Sequence, residues 1–126
     1  PVIGDGRYRM QPVAVEQVAE SMVKALKMPQ TFAQTYQLGG GESYSYNEIL
    51  DLTGSAIAVE PVRKIHQPVL LMKPVIKVMQ HAACFPITSD QLSMLLAGNV
   101  CDPSAWAETF EIVPRSYADG VKACFS

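Results

Sequence analysis

Cysteine is scarce, and the scarcity excludes a good deal. The three cysteines, Cys84, Cys101 and Cys124, are odd in number and never fall at C-x-x-C spacing. The two histidines, His66 and His81, add no common zinc spacing to them. A structural zinc site, which needs about four organised ligands, is therefore not expected. Reduced cysteines of a cytoplasmic protein are. No basic run occurs and the net charge is −2, which gives no electrostatic footprint for nucleic acid. The apolar stretch within 67–83 falls short of the roughly 20 residues a bilayer requires and carries Lys73 and Lys77, so no transmembrane segment is expected. The first residue is Pro1, with no initiator Met and no signal peptide. We read this as a piece of a longer chain.

Catalytic signatures are missing too. A tyrosine whose phenol is activated by a lysine four residues on is a common acid–base device. None of the five tyrosines has that lysine: Tyr8 is followed by Pro12, Tyr36 by Gly40, Tyr44 by Glu48, Tyr46 by Leu50 and Tyr117 by Val121. Ser43, Ser45 and Ser116 lack a G-x-S-x-G elbow. The glycines Gly4 and Gly6 do not make a dinucleotide fingerprint, because Arg9 stands where the last glycine belongs. Gly39–Gly41 lies better, between a strand candidate and a helix, but Tyr44 takes its final glycine position. That loop is read either as a plain turn or as a place for close approach of a ligand or backbone. No catalytic residue is assigned.

What is present is a sequence of well-marked elements. Gln11 to Val15 reads as a short strand entering a helix. Val15, Val18, Ala19, Met22, Val23 and Leu26 then recur at helical spacing, predicting an apolar core face, and Pro29 ends the helix. Thr35–Leu38 and Pro61–Ile65 are two further strand candidates. Ser45 with Glu48, and Thr88 with Gln91, are capping boxes. Tyr44 and Ile49, and Ile87 and Leu92, are placed as their hydrophobic staples. Gly54 and Gly98 are read as helix stops. Residues 67–83 form an apolar helix, kinked at Pro74, with Lys73, Lys77 and Gln80 on one narrow face. It is read as a buried helix or one lining an apolar cleft. Asp102-Pro103 and Ser116 with Asp119 open two last helices. The fold class expected is mixed, helix-rich α/β, with three short strands and five to six helices. So few strands make a poor sheet alone, and strand 35–38 would carry bare edges.

Three segments carry a family resemblance. PVIGDGRYRMQPVAVEQVAESMVKAL (1–26) resembles a recurring stretch of extended and atypical short-chain dehydrogenases/reductases, the epimerase/dehydratase-like group. There a GDG-type turn precedes a short strand and a V-D-D-V-A-like helix start. TYQLGGGESYSYNEILDL (35–52) is similar to the strand, glycine turn and capped helix that follow. ITSDQLSMLLAGNVCD (87–102) resembles the branch that includes the NAD(P)H-binding accessory subunit of respiratory complex I. The resemblance implies that 1–126 is the C-terminal, substrate-side lobe of a Rossmann-type protein. Its partner is an absent N-terminal Rossmann domain carrying NAD(P) and any catalytic tyrosine, with no cofactor expected on this chain alone. It also implies that strand 35–38 returns to the Rossmann sheet edge. A homo-oligomer through exposed edges or the apolar helix is a further expectation.

One departure bears on substrate. Nucleotide-sugar enzymes of this group carry Arg-Asp-aromatic before the V-D-D-V-A helix, and the arginine can clamp phosphate. Met10, Gln11 and Pro12 stand there instead, with Ala14 and Gln17 replacing an aromatic and an acid. Met10, Gln11 and Pro12 are the substrate-cleft candidates, for a less charged or more hydrophobic ligand. Three functions stay open. One is the substrate-binding part of an NAD(P)-dependent epimerase/dehydratase- or reductase-like protein. Another is a non-catalytic NAD(P)H-binding assembly or regulatory subunit. The last is an independent small binding domain.

Overall fold

A computed structural model describes residues 1–79 and 88–125. Its elements are β1 (Val2–Ile3), β2 (Arg9–Met10), α1 (Val15–Ala25), β3 (Tyr44–Ser45), α2 (Tyr46–Ala56), β4 (His66–Gln67), α3 (Val69–Met79), α4 (Ser89–Ala97), α5 (Ser104–Phe110) and α6 (Tyr117–Phe125). The class is mixed α/β and helix-rich, as expected. The expected end of the apolar helix at 80–83, together with Gln80, His81, Cys84 and the Ile87 staple, lies outside the described residues.

The strands are shorter and placed differently from the sequence reading. β1 pairs parallel with β4, and β2 pairs antiparallel with β3, with Met10 also bridging Asn99. Each ladder is two residues long. The expected strand at 11–15 lies at 9–10, and that at 61–65 lies at 66–67. Thr35–Leu38 forms no strand among the described residues. Its alternation is nonetheless real: Thr35 and Gln37 are exposed, while Tyr36 and Leu38 pack on the core. An extended segment that buries every second side chain meets the period-2 pattern without a ladder partner.

Helix ends follow local chemistry closely. The Ser45–Glu48 box is complete: Glu48 N donates to Ser45 Oγ at 3.3 Å and Ser45 N donates to Glu48 Oε2 at 2.6 Å. Those bonds to Ser45 hold the Glu48 carboxyl below its usual range. Thr88 and Gln91 make the second complete box, and Gly98, at φ 79°, ends α4. Asp119 N donates to Ser116 Oγ at 3.2 Å, opening α6. Pro103 is the N-cap of α5, and Asp102 just before it accepts from Ser104 N at 3.0 Å. Gly54 does not stop α2, which runs on to Ala56. A Cβ there would overlap Val62 Cγ2 and approach Val59 O to 2.8 Å, so Gly54 is needed for the close return of the chain. Pro74 sits inside α3.

The core centres on Trp106, Phe110 and Ile112, with Val13, Ala25, Met28, Tyr36 and Leu38 packed around it. Tyr36 meets Phe110 edge-on, ring centroids 5.1 Å apart. α1 enters this core the opposite way from expectation. Its buried residues are Gln17 and Ser21, while Val15, Met22, Val23 and Leu26 are 73%, 67%, 57% and 80% exposed. The polar face is held by hydrogen bonds. Gln17 Nε2 donates to Val113 O at 2.7 Å, and Gln17 Oε1 accepts from Arg115 N at 3.0 Å. Ser21 Oγ accepts from Trp106 Nε1 at 2.7 Å and donates to Gln17 O. Lys24 Nζ reaches Phe110 O, a free carbonyl of the last turn of α5, at 2.7 Å. Every buried polar atom on this face has a partner, which makes its burial tolerable. The apolar stripe is left facing outward. Among the described residues no helix is long and apolar enough to cross a membrane.

Candidate functional site

Met10, Gln11 and Pro12 occupy the run from β2 into α1, and the structure assigns each a packing task. Met10 pairs with Tyr44 in the β2–β3 ladder. Gln11 holds two segments at once. Its Nε2 donates to Gly40 O at 2.8 Å, and its Oε1 accepts from Cys101 N at 2.9 Å. Pro12 lies against the glycine run: a Cβ on Gly40 would overlap the Pro12 carbonyl oxygen. Pro12 lines a concavity of about 290 Å³ with Val13, Val15, Arg115, Tyr117 and Val121.

The same contacts explain Gly39–Gly41. A Cβ on Gly41 would stand 2.8 Å from Pro114 O, and Gly41 N donates to Arg115 O at 3.2 Å. A Cβ on Gly39 would meet the Gln11 amide at 2.8 Å. Three parts of the backbone cross here, and only residues without side chains let them do so. Of the two readings left open by the sequence, close approach is right, and what approaches is protein backbone. Arg9 is exposed and turned to the entry of β3, with Nε donating to Ser43 Oγ at 3.1 Å and Nη2 donating to Ser43 O.

The tyrosines are tied into packing as well. Tyr8 stacks on Tyr46 with centroids 5.3 Å apart. Burial, helped by Tyr46 and Asp5, pushes its phenol up to about 12. A group so reluctant to ionise suits a core better than proton transfer near neutral pH. Tyr44 hydrogen-bonds Glu42, which raises its phenol, with burial adding to the effect. Tyr117 OH pairs with Thr53 Oγ1 at 2.9 Å, joining α6 to α2. Cys101 and Cys124 are free thiols, and no cluster of metal-binding side chains occurs among the described residues.

A second concavity was not visible in the sequence. The Gly4–Gly6 turn, β4 and the ends of α3 and α4 bound an open groove of about 770 Å³. Asp5, Arg7, Asn47 and His66 supply its polar lining, and Pro68, Val69 and Leu96 its apolar lining. His66 lies on β4 and faces Asn47 Oδ1 at 3.4 Å. The one local signal was the glycine pair. Gly4 and Gly6 both take positive φ, 72° and 67°, so the G-D-G spacing marks a sharp turn.

No protein-family model matches the chain, and no curated protein matches it. Among solved structures it is similar to a crystal structure of UDP-glucuronic acid 4-epimerase from Bacillus cereus in complex with NAD, at 15% identity and a TM-score of 0.47. The match covers 99% of this chain and 35% of that one, so the chain spans about a third of the epimerase's length.

Proposed function

We propose that this chain is the substrate-side lobe of an NAD(P)-dependent epimerase/dehydratase- or reductase-like protein, and that it does not catalyse alone. The observation that carries the reading is the outward apolar stripe of α1. Val15, Ala19, Met22, Val23 and Leu26 lie on one helix face and all are exposed. In the proposed parent that face packs on the nucleotide-binding domain, which holds NAD(P). The 1–26 and 35–52 segment resemblances support the same assignment.

The engagement of Gln11 favours a second reading beside it, a non-catalytic NAD(P)H-binding subunit of the same lineage. Its carboxamide is occupied at both ends by Gly40 and Cys101. Such a group offers little to a substrate.

Nicotinamide fluorescence tests both. The isolated chain should give no saturable NADH or NADPH signal in the micromolar range. A parent chain that adds the preceding nucleotide domain should give one. Turnover by that parent selects the first reading over the second, and micromolar binding by the isolated chain rejects both.

A further inference from the structure

We propose that the groove between the Gly4–Gly6 turn and the facing ends of α3 and α4 binds an organic anion, a carboxylate or phosphate carried on an apolar body. This inference is independent of the proposed function. It starts from Arg7, an exposed residue lining the groove. Its guanidinium makes no hydrogen bond or ion pair among the described residues, whereas Arg9 and Lys24 are bound to their own chain. The root of the side chain is fixed, because Arg7 N donates to Asp5 Oδ1 at 3.0 Å. An arginine anchored at its backbone, with an open fork, matches a carboxylate or phosphate in shape as well as charge.

The surroundings are rigid and two-natured. Asn47 Nδ2 donates to Asp5 O at 2.8 Å, and Asn47 N to Gly6 O at 3.1 Å, which staples the turn to α2. Asn47 Oδ1 also meets His66 Nε2, so the imidazole is oriented by the same side chain. A Cβ on Gly4 would touch Val69 Cγ2 at 3.0 Å, so the turn sits close on the first residue of α3. The groove therefore brings together a cation, an oriented ring and the start of α3. The positive end of the α3 dipole adds to the potential there. Pro68, Val69 and Leu96 offer an apolar wall that a bare inorganic ion could not use. Asp5 is the one carboxylate in the lining, and its Oδ1 is already engaged by Arg7 N.

Titration of the isotope-labelled chain with phenyl phosphate and with benzoate, followed by amide chemical shifts, tests the proposal. Inorganic phosphate and benzyl alcohol serve as one-sided controls. The expected result is saturable binding of at least one of the two aromatic anions, with shifts centred on residues 4–7, 47, 66–69 and 96. The better-binding arm tells phosphate from carboxylate. Arg7→Gln should weaken that binding about tenfold, the loss of a charge-assisted bond. Asp5→Asn keeps the acceptor for Arg7 N while removing the charge, and should strengthen it. The proposal is overturned if neither aromatic anion saturates or if Arg7→Gln leaves affinity unchanged. It is equally overturned if inorganic phosphate binds as well as phenyl phosphate. Both substituted positions are exposed, and unchanged amide dispersion elsewhere confirms the fold.

Discussion

The Trp106 indole N–H donates to Ser21 Oγ at 2.7 Å, joining positions 85 residues apart inside a fully buried contact. Trp106 has no exposure and Ser21 is 5% exposed. Ser21 in turn hands its own proton to Gln17 O, so one hydroxyl closes the seam between α1 and α5.

Ser21→Ala should therefore leave a buried donor without a partner. The expected cost is about 1–3 kcal/mol. Urea unfolding followed by the fluorescence of Trp106, the one tryptophan, reads it directly. The midpoint should fall with the slope unchanged. In a Trp106→Phe background the same Ser21→Ala change should cost less, because the orphaned donor is gone.

The opposite face of α1 should tolerate charge. Met22→Lys with Leu26→Lys, at positions 67% and 80% exposed, should change stability by no more than about 0.5 kcal/mol. Self-association measured by sedimentation should weaken, and so should binding to a nucleotide-binding domain supplied separately. A large loss of stability would place these side chains in the core after all.

These two predictions mark the limit of what periodicity could reveal. The spacing of Val15, Val18, Ala19, Met22, Val23 and Leu26 located the helix and its apolar stripe. It could not say which side would meet the rest of this chain. That was decided by Trp106, Val113 and Arg115, about 90 positions away. The caps were legible because they close within three residues: Ser45–Glu48, Thr88–Gln91 and Ser116–Asp119 all formed. The strands were not, since a ladder two residues long exists only through its distant partner. The Met10–Gln11–Pro12 run leads from β2 towards α1. Its engagement with Gly40 and Cys101 depends on contacts no local pattern carries.

Two glycine substitutions should act in opposite directions. Gly40→Ala drives a methyl into the Pro12 carbonyl, a backbone group that cannot step aside. We expect a loss of about 2 kcal/mol or more. In α6 the nearest atom to a Cβ on Gly120 is Arg115 Cδ at 4.0 Å. Gly120→Ala should stabilise by about 0.5–1 kcal/mol, through helix propensity alone. Thermal midpoints of the two variants measure both signs.

Alkaline titration should separate one tyrosine from the others. Tyr8, held neutral to about 12 by burial, prefers its protonated form in the folded state. Its contribution to stability is complete below the ordinary value of 10.0 and is lost as pH rises from there through about 12. Tyrosinate absorbance should show a late component that shrinks by one tyrosine's worth in Tyr8→Phe, Tyr44 keeping its own raised share. A single early transition in the wild-type protein would contradict the burial argument.

Lys24 reaching the Phe110 carbonyl, beside the Gln17 and Ser21 bonds, gives α1 a polar inner face and leaves an apolar outer one. Inward, it is located by directional bonds that accept one geometry only. Outward, it offers grease, which accepts any surface of roughly fitting shape. Side chains on that outer face can change in size or shape without disturbing the hydrogen bonds of the seam to α5. The two faces of one helix thus answer to different physical constraints, direction on one side and area on the other.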